Sequence, residues 1–198
     1  WSFLEPEEGQ FNWSILDTPA QRWIAKGKRI ALRITCSETP TPWATPKWVN
    51  NAGAKGYFFE PEQGIKENGT HWEPDYNDPI FLEKLDHFLE ALARRYDGNP
   101  SVDFIDIGSL GVWGEGHTWS STRNHISADT VKKHIDLHLK HFKNTIIALN
   151  DDSITNGQKI AELTPEQQEI LNYAKEKGLT LRDDSILVQG GENAYFSA

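Results

Sequence analysis

The sequence predicts an α/β fold built on a parallel sheet and, within that class, an incomplete (β/α)8 barrel. Short β-rich runs alternate along the chain with longer amphipathic segments, which is typical of right-handed βαβ units. Neither a Gly-x-Gly-x-x-Gly motif nor a P-loop follows the first predicted strand, so the competing open doubly wound sheet lacks its usual nucleotide-binding signature. Polar and aromatic residues gather after the strand ends, where barrels assemble their active sites.

Four strands are predicted, and a complete barrel needs eight. They span residues 29–36, 102–109, 144–150 and 185–189, and residues 1–4 are a further strand remnant. A (β/α)8 barrel takes about 250 residues, whereas this chain has 198 residues and contains no methionine. We therefore expect a fragment that lacks an early strand and the last two. No linker or low-complexity run divides it, so residues 1–198 are expected to form a single domain.

Proline and glycine mark the boundaries of three predicted helices. Residues 18–21 (Thr-Pro-Ala-Gln) form a capped helix start with Gly27 as the left-handed end, and residues 164–167 (Thr-Pro-Glu-Gln) repeat this device with Gly178. Asp78-Pro79 opens a long amphipathic helix. Its apolar face consists of Phe81, Leu85, Phe88, Leu89 and Leu92.

A fourth helix is expected to begin near Ser127. Its inward positions are Val131, Ile135, Leu139 and Phe142. His134 and His138 are one turn apart, but the Glu that a His-Glu-x-x-His zinc motif requires is missing. We therefore expect His134, His138 and His141 to lie on a solvated helix face.

Composition excludes several classes of partner. The formal net charge is −9 and no run of Lys and Arg is long enough to follow a phosphate backbone, which excludes nucleic acid. No apolar run approaches the roughly 20 residues of a membrane-spanning helix. Cys36 is the single cysteine, so neither an intrachain disulfide nor a cysteine-based metal site is predicted. A homo-oligomer stays open.

Eight Trp, five Tyr and nine Phe in a polar chain indicate that aromatic surface also serves recognition.

One segment combines a predicted strand with polar chemistry. In VDFIDIGSLGVWGEGH, residues 102–117, an alternating apolar run leads into Trp113, Gly114, Glu115 and His117. A carboxyl group beyond a strand end, flanked by Trp113 and partly removed from water, suits the donation of a proton to a leaving oxygen. Gly111 and Gly114 would let a sugar approach the backbone closely.

Three segments resemble β-galactosidase-like (β/α)8 glycoside hydrolases. WSFLEPEEGQFNWSILD, residues 1–17, is similar to their second-strand segment, in which a Glu-Pro-x-x-Gly turn leads toward the next helix. RIALRI with TPWATPKWV, and ARRYDGNPSVDFIDIGSLGVWGEGH, resemble their third and fourth strand regions. The likeness covers most of residues 1–150 and reaches the fifth strand. It implies a retaining glycosidase that acts on an oligo- or polysaccharide without a metal or organic cofactor, with a secreted or periplasmic location favoured.

The resemblance also implies roles for individual carboxylates. In those enzymes the glutamate that closes the fourth strand is the general acid/base, which corresponds to Glu115. Many of them have Asn just before it, whereas this chain has Gly114, so the contact of that Asn with a sugar hydroxyl must come from elsewhere. Their nucleophile closes the seventh strand and is expected outside this chain. Glu192 follows the last predicted strand, one strand too early, and is expected to line the cleft.

Other residues are candidates for substrate binding. Arg33 lies in an apolar strand, where an unpaired cation is costly, so it should pair with a carboxylate at the barrel mouth. His117 could bind a sugar hydroxyl or orient Glu115, or it could be solvated. Trp113 flanks the acid, and Asn150, with Asp151 and Asp152, follows a strand. Trp43 and Trp48, with Trp72 and Tyr76, would either stack on sugar or form a small core under a long loop.

Two further functions stay open at this point. A non-catalytic carbohydrate-binding barrel would keep the aromatic platforms, with Glu115 only hydrogen-bonding the ligand or pairing with Arg123 or His117 as a structural contact. An enzyme for another polar substrate on the same barrel is the third possibility, because fold alone does not fix function.

Overall fold

Four parallel strands and three longer crossover helices form the centre of the fold in the computed structural model, which describes residues 1–157 and 162–183. The helices are α1 (Ser14–Ile24), α2 (Lys47–Asn51), α3 (Pro79–Tyr96), α4 (Ala128–His141), α5 (Asp152–Thr155) and α6 (Pro165–Glu176). The strands are β1 (Ile30–Arg33), β2 (Gly56–Glu60), β3 (Gly64–Ile65), β4 (His71–Pro74), β5 (Val102–Asp106), β6 (Ile146–Asn150) and β7 (Thr180–Arg182). No helix among these residues is both long and apolar enough to cross a membrane.

The main sheet has the strand order β1-β5-β6-β7, and every neighbouring pair is parallel. α3 lies between β1 and β5 in the chain, α4 between β5 and β6, and α6 between β6 and β7, which gives successive βαβ units. The register places Arg33 opposite Asp106, and Asp106 opposite Ala148. The predicted α/β class with a parallel sheet is confirmed.

The two faces of this sheet differ in burial. Leu32, Ile105 and Leu149 belong to one apolar core that also contains the inward residues of α3 and α4. On the other face, Ala31, Phe104 and Ile146 form a row across three strands by their register. Ala31 is exposed, Phe104 is half-buried and Ile146 is 55% exposed. Within the described ranges, this row is therefore partly open to solvent.

Local signals predicted two helices correctly. Asp78 caps α3 by accepting hydrogen bonds from the backbone N–H groups of Ile80 and Phe81, and the predicted apolar face is buried. Thr164 and Gln167 form a capping box at the start of α6. In both cases the side chain and the amide that it caps lie within three residues.

The predicted start of α1 is wrong. The helix begins at Ser14 rather than near residue 18, and Pro19 lies inside it. Trp13, just before the helix, stacks on Phe11 at 4.9 Å between ring centroids and contacts the rings of Phe88 and Tyr96. This packing against α3 fixes the preceding turn and outweighs the unfavourable proline.

Several strand predictions also need correction. Residues 1–4 form a turn, closed by the Leu4 N–H to Trp1 C=O hydrogen bond, rather than a strand. Strand β7 lies at residues 180–182 and was not predicted, while the predicted strand 185–189 lies outside the described residues. The long segment after β1 contains a small antiparallel sheet of order β3-β2-β4 that the sequence patterns did not reveal.

His134 and His138 are buried, with 0% and 2% exposure, so the predicted solvated face is wrong for both. The Nε2 of His134 lies 2.8 Å from the Tyr76 carbonyl oxygen, and its Nδ1 lies 2.7 Å from the Ser109 hydroxyl. A carbonyl oxygen only accepts, so Nε2 carries the proton and Nδ1 accepts from Ser109. His138 donates from Nδ1 to the His134 carbonyl oxygen at 2.8 Å. Each ring thus has a partner inside the core, which permits its burial.

Candidate active site at the carboxyl edge of the parallel sheet

Charged residues end three of the four parallel strands. Arg33 ends β1, Asp106 ends β5 and Arg182 ends β7. The Asp106 Oδ2 atom lies 3.2 Å from Arg33 Nε and 2.8 Å from Arg182 Nε. The Asp106 side chain is only 2% exposed, and the two guanidinium groups balance its buried charge. The expected pairing of Arg33 with a carboxylate at this edge is confirmed.

Glu115 meets the same arginine. Its Oε1 atom lies 3.2 Å from Arg33 Nη1, and its Oε2 atom lies 3.4 Å from His117 Nε2. Arg33 Nη1 also donates to the Trp113 carbonyl oxygen at 3.2 Å. A cation and an imidazole thus hold the Glu115 carboxylate. The side chain is 24% exposed, so solvent still reaches it.

Glu115 does not close strand β5 as expected. The strand ends at Asp106, and Glu115 lies nine residues later on the loop 107–117. The loop folds back on its own first residues, just beyond the strand: a Cβ atom at Gly114 would lie 2.7 Å from the Gly108 carbonyl oxygen. Gly116 has φ +85° and packs against the Ser153 backbone. A Cβ atom at Gly116 would lie only 2.4 Å from Ser153 Cα, so no side chain fits there. These glycines bring backbone close to backbone, not to a sugar as the sequence suggested for Gly111 and Gly114.

His117 is buried and its orientation is fixed. The backbone N–H of Trp119 donates to its Nδ1 at 3.4 Å, so a neutral ring carries its proton on Nε2 and points it at Glu115. The Trp113 ring meets the His117 ring edge-on, with centroids 5.7 Å apart. This contact favours the role of His117 in orienting Glu115 over a solvated histidine.

Asp152, which the sequence placed after a strand, lies beside Glu115 and His117 in a group that the sequence patterns did not predict. The ligand atoms of Glu115, His117 and Asp152 all lie within 4.8 Å of one another, a spacing that could hold a metal ion. Its members come from the loop after β5 and from the start of α5, so no short motif marks them. The guanidinium of Arg33 already occupies one oxygen of Glu115.

The predicted binding residues fall into two sets. Trp113 and Asn150 lie at the site: the Trp113 indole donates to Thr39 Oγ1 at 3.1 Å, and the buried Asn150 accepts from the Asp152 N–H at 2.9 Å. Trp48 packs edge-on against Trp1 and donates to the Glu5 carbonyl oxygen, away from this group. Glu192 lies outside the described residues.

The aromatic residues after β1 mainly form a core under the loop. Trp72 and Tyr76 are 2% and 5% exposed. Trp43 is half-buried and stacks on Trp72 with centroids 5.5 Å apart, while Lys47 lies over its ring. Trp72 and Tyr76 are therefore closed to a sugar, whereas Trp43 keeps partial exposure.

A buried carboxylate from the small sheet supports the glutamate loop. Glu73 on β4 is 1% exposed and accepts hydrogen bonds from Ser37 Oγ at 2.8 Å and from the Thr122 hydroxyl. The Ser37 carbonyl oxygen in turn accepts from the Trp113 N–H at 2.9 Å. Glu73 thereby links the segments on both sides of Glu115. Burial is the main cause that raises the pKa of Glu73.

This raised pKa gives a prediction of stability against pH. Because the folded protein disfavours the ionised carboxylate, the contribution of Glu73 is full below the pKa of the unfolded chain and decreases as pH rises through the folded pKa. The free energy of unfolding of wild type minus that of Glu73→Gln should therefore fall from pH 4 to pH 8. Urea unfolding at intervals of one pH unit measures it. A difference that grows with pH would contradict the raised pKa.

The comparisons with known proteins agree with the resemblance seen in the sequence. The family model for β-galactosidases of glycoside hydrolase family 42 matches residues 1–110, more than half of the chain. A β-galactosidase of Alicyclobacillus acidocaldarius is 32% identical over 102 residues, and one of Halorubrum lacusprofundi is 28% identical over 102 residues. Each match covers 52% of this chain and 14% of the relative.

A solved structure extends the likeness in fold. The polyextremophilic β-galactosidase of the Antarctic haloarchaeon Halorubrum lacusprofundi superposes with a TM-score of 0.57 and 15% identity. The superposition covers 98% of this chain and 36% of that one. The fold thus agrees with that of barrel glycoside hydrolases, and the segment matched in sequence spans about a seventh of the length of the curated relatives. The family match establishes that the chain belongs to the β-galactosidases of glycoside hydrolase family 42.

Proposed function

We propose that the protein containing this chain hydrolyses β-galactosides or related oligo- and polysaccharides, with Glu115 as its general acid/base. The observation that carries the proposal is the position of the Glu115 carboxylate. It lies at the carboxyl edge of the parallel sheet between Arg33 and His117, in a chain of a glycosidase family. Carboxylates at this edge are where (β/α)8 enzymes perform their chemistry.

In this proposal the two oxygens of Glu115 have different tasks, which their contacts support. Arg33 Nη1 holds Oε1 at 3.2 Å and fixes the plane of the carboxyl group. Oε2, at 3.4 Å from His117 Nε2, is then the oxygen that exchanges a proton with the leaving oxygen of the substrate. His117 stabilises the carboxylate once that proton has gone. No cofactor enters this scheme.

The open face of the sheet supports the further proposal of an incomplete barrel. Parallel sheets are normally covered on both faces, yet Ala31, Phe104 and Ile146 form a partly exposed apolar row within the described residues. Additional strands that close a ring around this row would bury it. The whole of residues 1–198 would then be part of one catalytic barrel.

We place the nucleophile on a strand outside this chain. For a retaining mechanism, its carboxylate must lie about 5.5 Å from Glu115. The sheet edge beside Arg33 and Arg182 is the place where such a group would meet the acid. This arrangement predicts that the 198-residue chain alone is inactive.

A non-catalytic sugar-binding barrel is the second candidate. Two observations favour it: the family match ends at residue 110, before Glu115, and the carboxylate of Glu115 already has an ion-pair partner in Arg33. In this case the same site would bind sugar without cleaving it.

Hydrolysis of a panel of aryl glycosides by the full-length protein tests both candidates. Release of the aryl group from a β-galactoside or a related sugar is the expected result. If no glycoside in the panel is hydrolysed but calorimetry still detects sugar binding, the sugar-binding protein is favoured. If neither hydrolysis nor binding is detected, both candidate functions are rejected.

A further inference from the structure

We propose that Trp119 is a stacking platform for the sugar ring that leaves when the substrate is cleaved. This inference rests on the proposed function, because it takes the substrate to be an oligosaccharide positioned by Glu115. The platform would bind the apolar face of a pyranose ring beyond the bond that is broken. Sequence reasoning considered other tryptophans and did not consider this one.

Trp119 is exposed, yet its ring is held in place. It is 46% exposed, while its Nε1–H donates to the Asn156 carbonyl oxygen at 2.6 Å. The polar atom of the indole is therefore already bonded, and the exposed remainder is apolar ring surface. A ring fixed in advance loses little conformational freedom when a ligand stacks on it.

The turn that holds the indole has an unusual backbone. Asn156 ends α5 in the left-handed region with φ +54°, and Gly157 follows with φ +66°. A Cβ atom at Gly157 would lie 3.0 Å from Trp119 Cδ1 and 3.5 Å from His117 Cβ. Glycine at this position thus lets the turn lie directly against both side chains.

The backbone of Trp119 also contacts the histidine beside the proposed acid. The backbone N–H of Trp119 donates to His117 Nδ1, and His117 Nε2 lies 3.4 Å from Glu115 Oε2. The carboxyl group that protonates the leaving oxygen must lie beside the ring that departs. An aromatic surface two residues beyond His117 is therefore placed for that ring.

Binding of a trisaccharide by the full-length protein tests this proposal. The Glu115→Gln background prevents turnover, and the probes are galactose and β-1,4-galactotriose, measured by isothermal titration calorimetry. Trp119→Ala is expected to weaken galactotriose binding about tenfold and to leave galactose binding unchanged. Trp119→Phe keeps a ring but loses the Nε1–H bond, so it should retain most of the affinity if stacking is the cause.

Trp23→Ala is the matched control. Trp23 is 58% exposed on α1, where its ring contacts the Lys26 ammonium group, and it should not affect binding. Unchanged galactotriose affinity in Trp119→Ala, equal losses in Trp119→Ala and Trp119→Phe, or a wild-type protein that does not bind galactotriose would each overturn the platform.

The two proposals can fail separately. Binding that depends on the Trp119 ring in a protein that hydrolyses no glycoside would reject the glycosidase and the leaving-ring role, and would keep Trp119 only as a sugar-binding surface. Hydrolysis of a glycoside in the panel, together with galactotriose binding that does not involve Trp119, would keep the glycosidase and reject the Trp119 platform.

Discussion

Glu115→Gln in the full-length protein is expected to lower kcat for substrates with poor leaving groups by about 10²- to 10⁴-fold, the usual contribution of general acid catalysis. Glutamine keeps the size of the side chain and can still accept from Arg33, so the loss would reflect the missing proton rather than a collapsed site. Steady-state kinetics on an alkyl or phenyl β-galactoside measure this effect.

The leaving group provides an internal control for this prediction. A dinitrophenyl glycoside departs without protonation, so its cleavage step should lose much less than that of the phenyl glycoside. In Glu115→Ala, added azide should restore turnover by attacking the glycosyl-enzyme intermediate, because a small anion then replaces the missing base. Glu62→Gln, on the turn between β2 and β3, is a surface control that should leave all rates unchanged. Near wild-type rates in Glu115→Gln on the phenyl substrate would remove Glu115 from catalysis.

Local interactions explain which parts of the fold the sequence could predict. The caps at Asp78 and Thr164 act within three residues of themselves, so their patterns are visible in a short window. The start of α1 depends instead on Trp13 packing against Phe88 and Tyr96, more than 70 residues away. No local pattern carries that information, and tertiary packing overrode the proline signal.

The sequence likewise predicted one part of the candidate site and not the rest. A cation in an apolar strand requires a partner, so the pairing of Arg33 was predictable from its neighbours alone. The identity of that partner depends on sheet register, which places Asp106 opposite Arg33. Glu73 lies in a segment without a recognisable motif, and Asp152 was predicted only as a residue that follows a strand. The folded chain brings both to the glutamate loop. Trp119 was missed because exposure and ring anchoring are properties of the structure.

The buried histidines of α4 predict a steep loss of stability in mild acid. Desolvation by burial lowers the pKa of His134 from 6.5 to about 3 and that of His138 from 6.5 to about 4. Both rings are neutral in the folded protein and take up a proton in the unfolded chain below pH 6.5. Their contribution to stability is therefore complete above pH 6.5 and is lost as pH falls toward 4 and then 3.

The expected size of this stability loss follows from the number of protons that the folded and unfolded states bind. Each histidine contributes up to about 1.4 kcal/mol of unfolding free energy per pH unit, so the slope for the pair approaches about 3 kcal/mol per unit near pH 5, between the unfolded and folded pKa values. Typical domains have only about 5–15 kcal/mol in total, so acid unfolding should begin well above pH 3. Urea unfolding between pH 7 and pH 5 measures the slope.

Variants separate these histidines from the other groups that titrate in acid. His138→Gln keeps a donor for the His134 carbonyl oxygen but removes one titrating group, so the slope should decrease by about 1.4 kcal/mol per pH unit. His87→Gln, at an exposed position on α3, is the surface control for replacing a histidine by glutamine. If His138→Gln proves too unstable to measure, the wild-type slope alone decides. A free energy of unfolding that stays flat from pH 7 to pH 5 would mean that these rings gain protons in the folded protein as readily as in the unfolded chain, which their burial forbids.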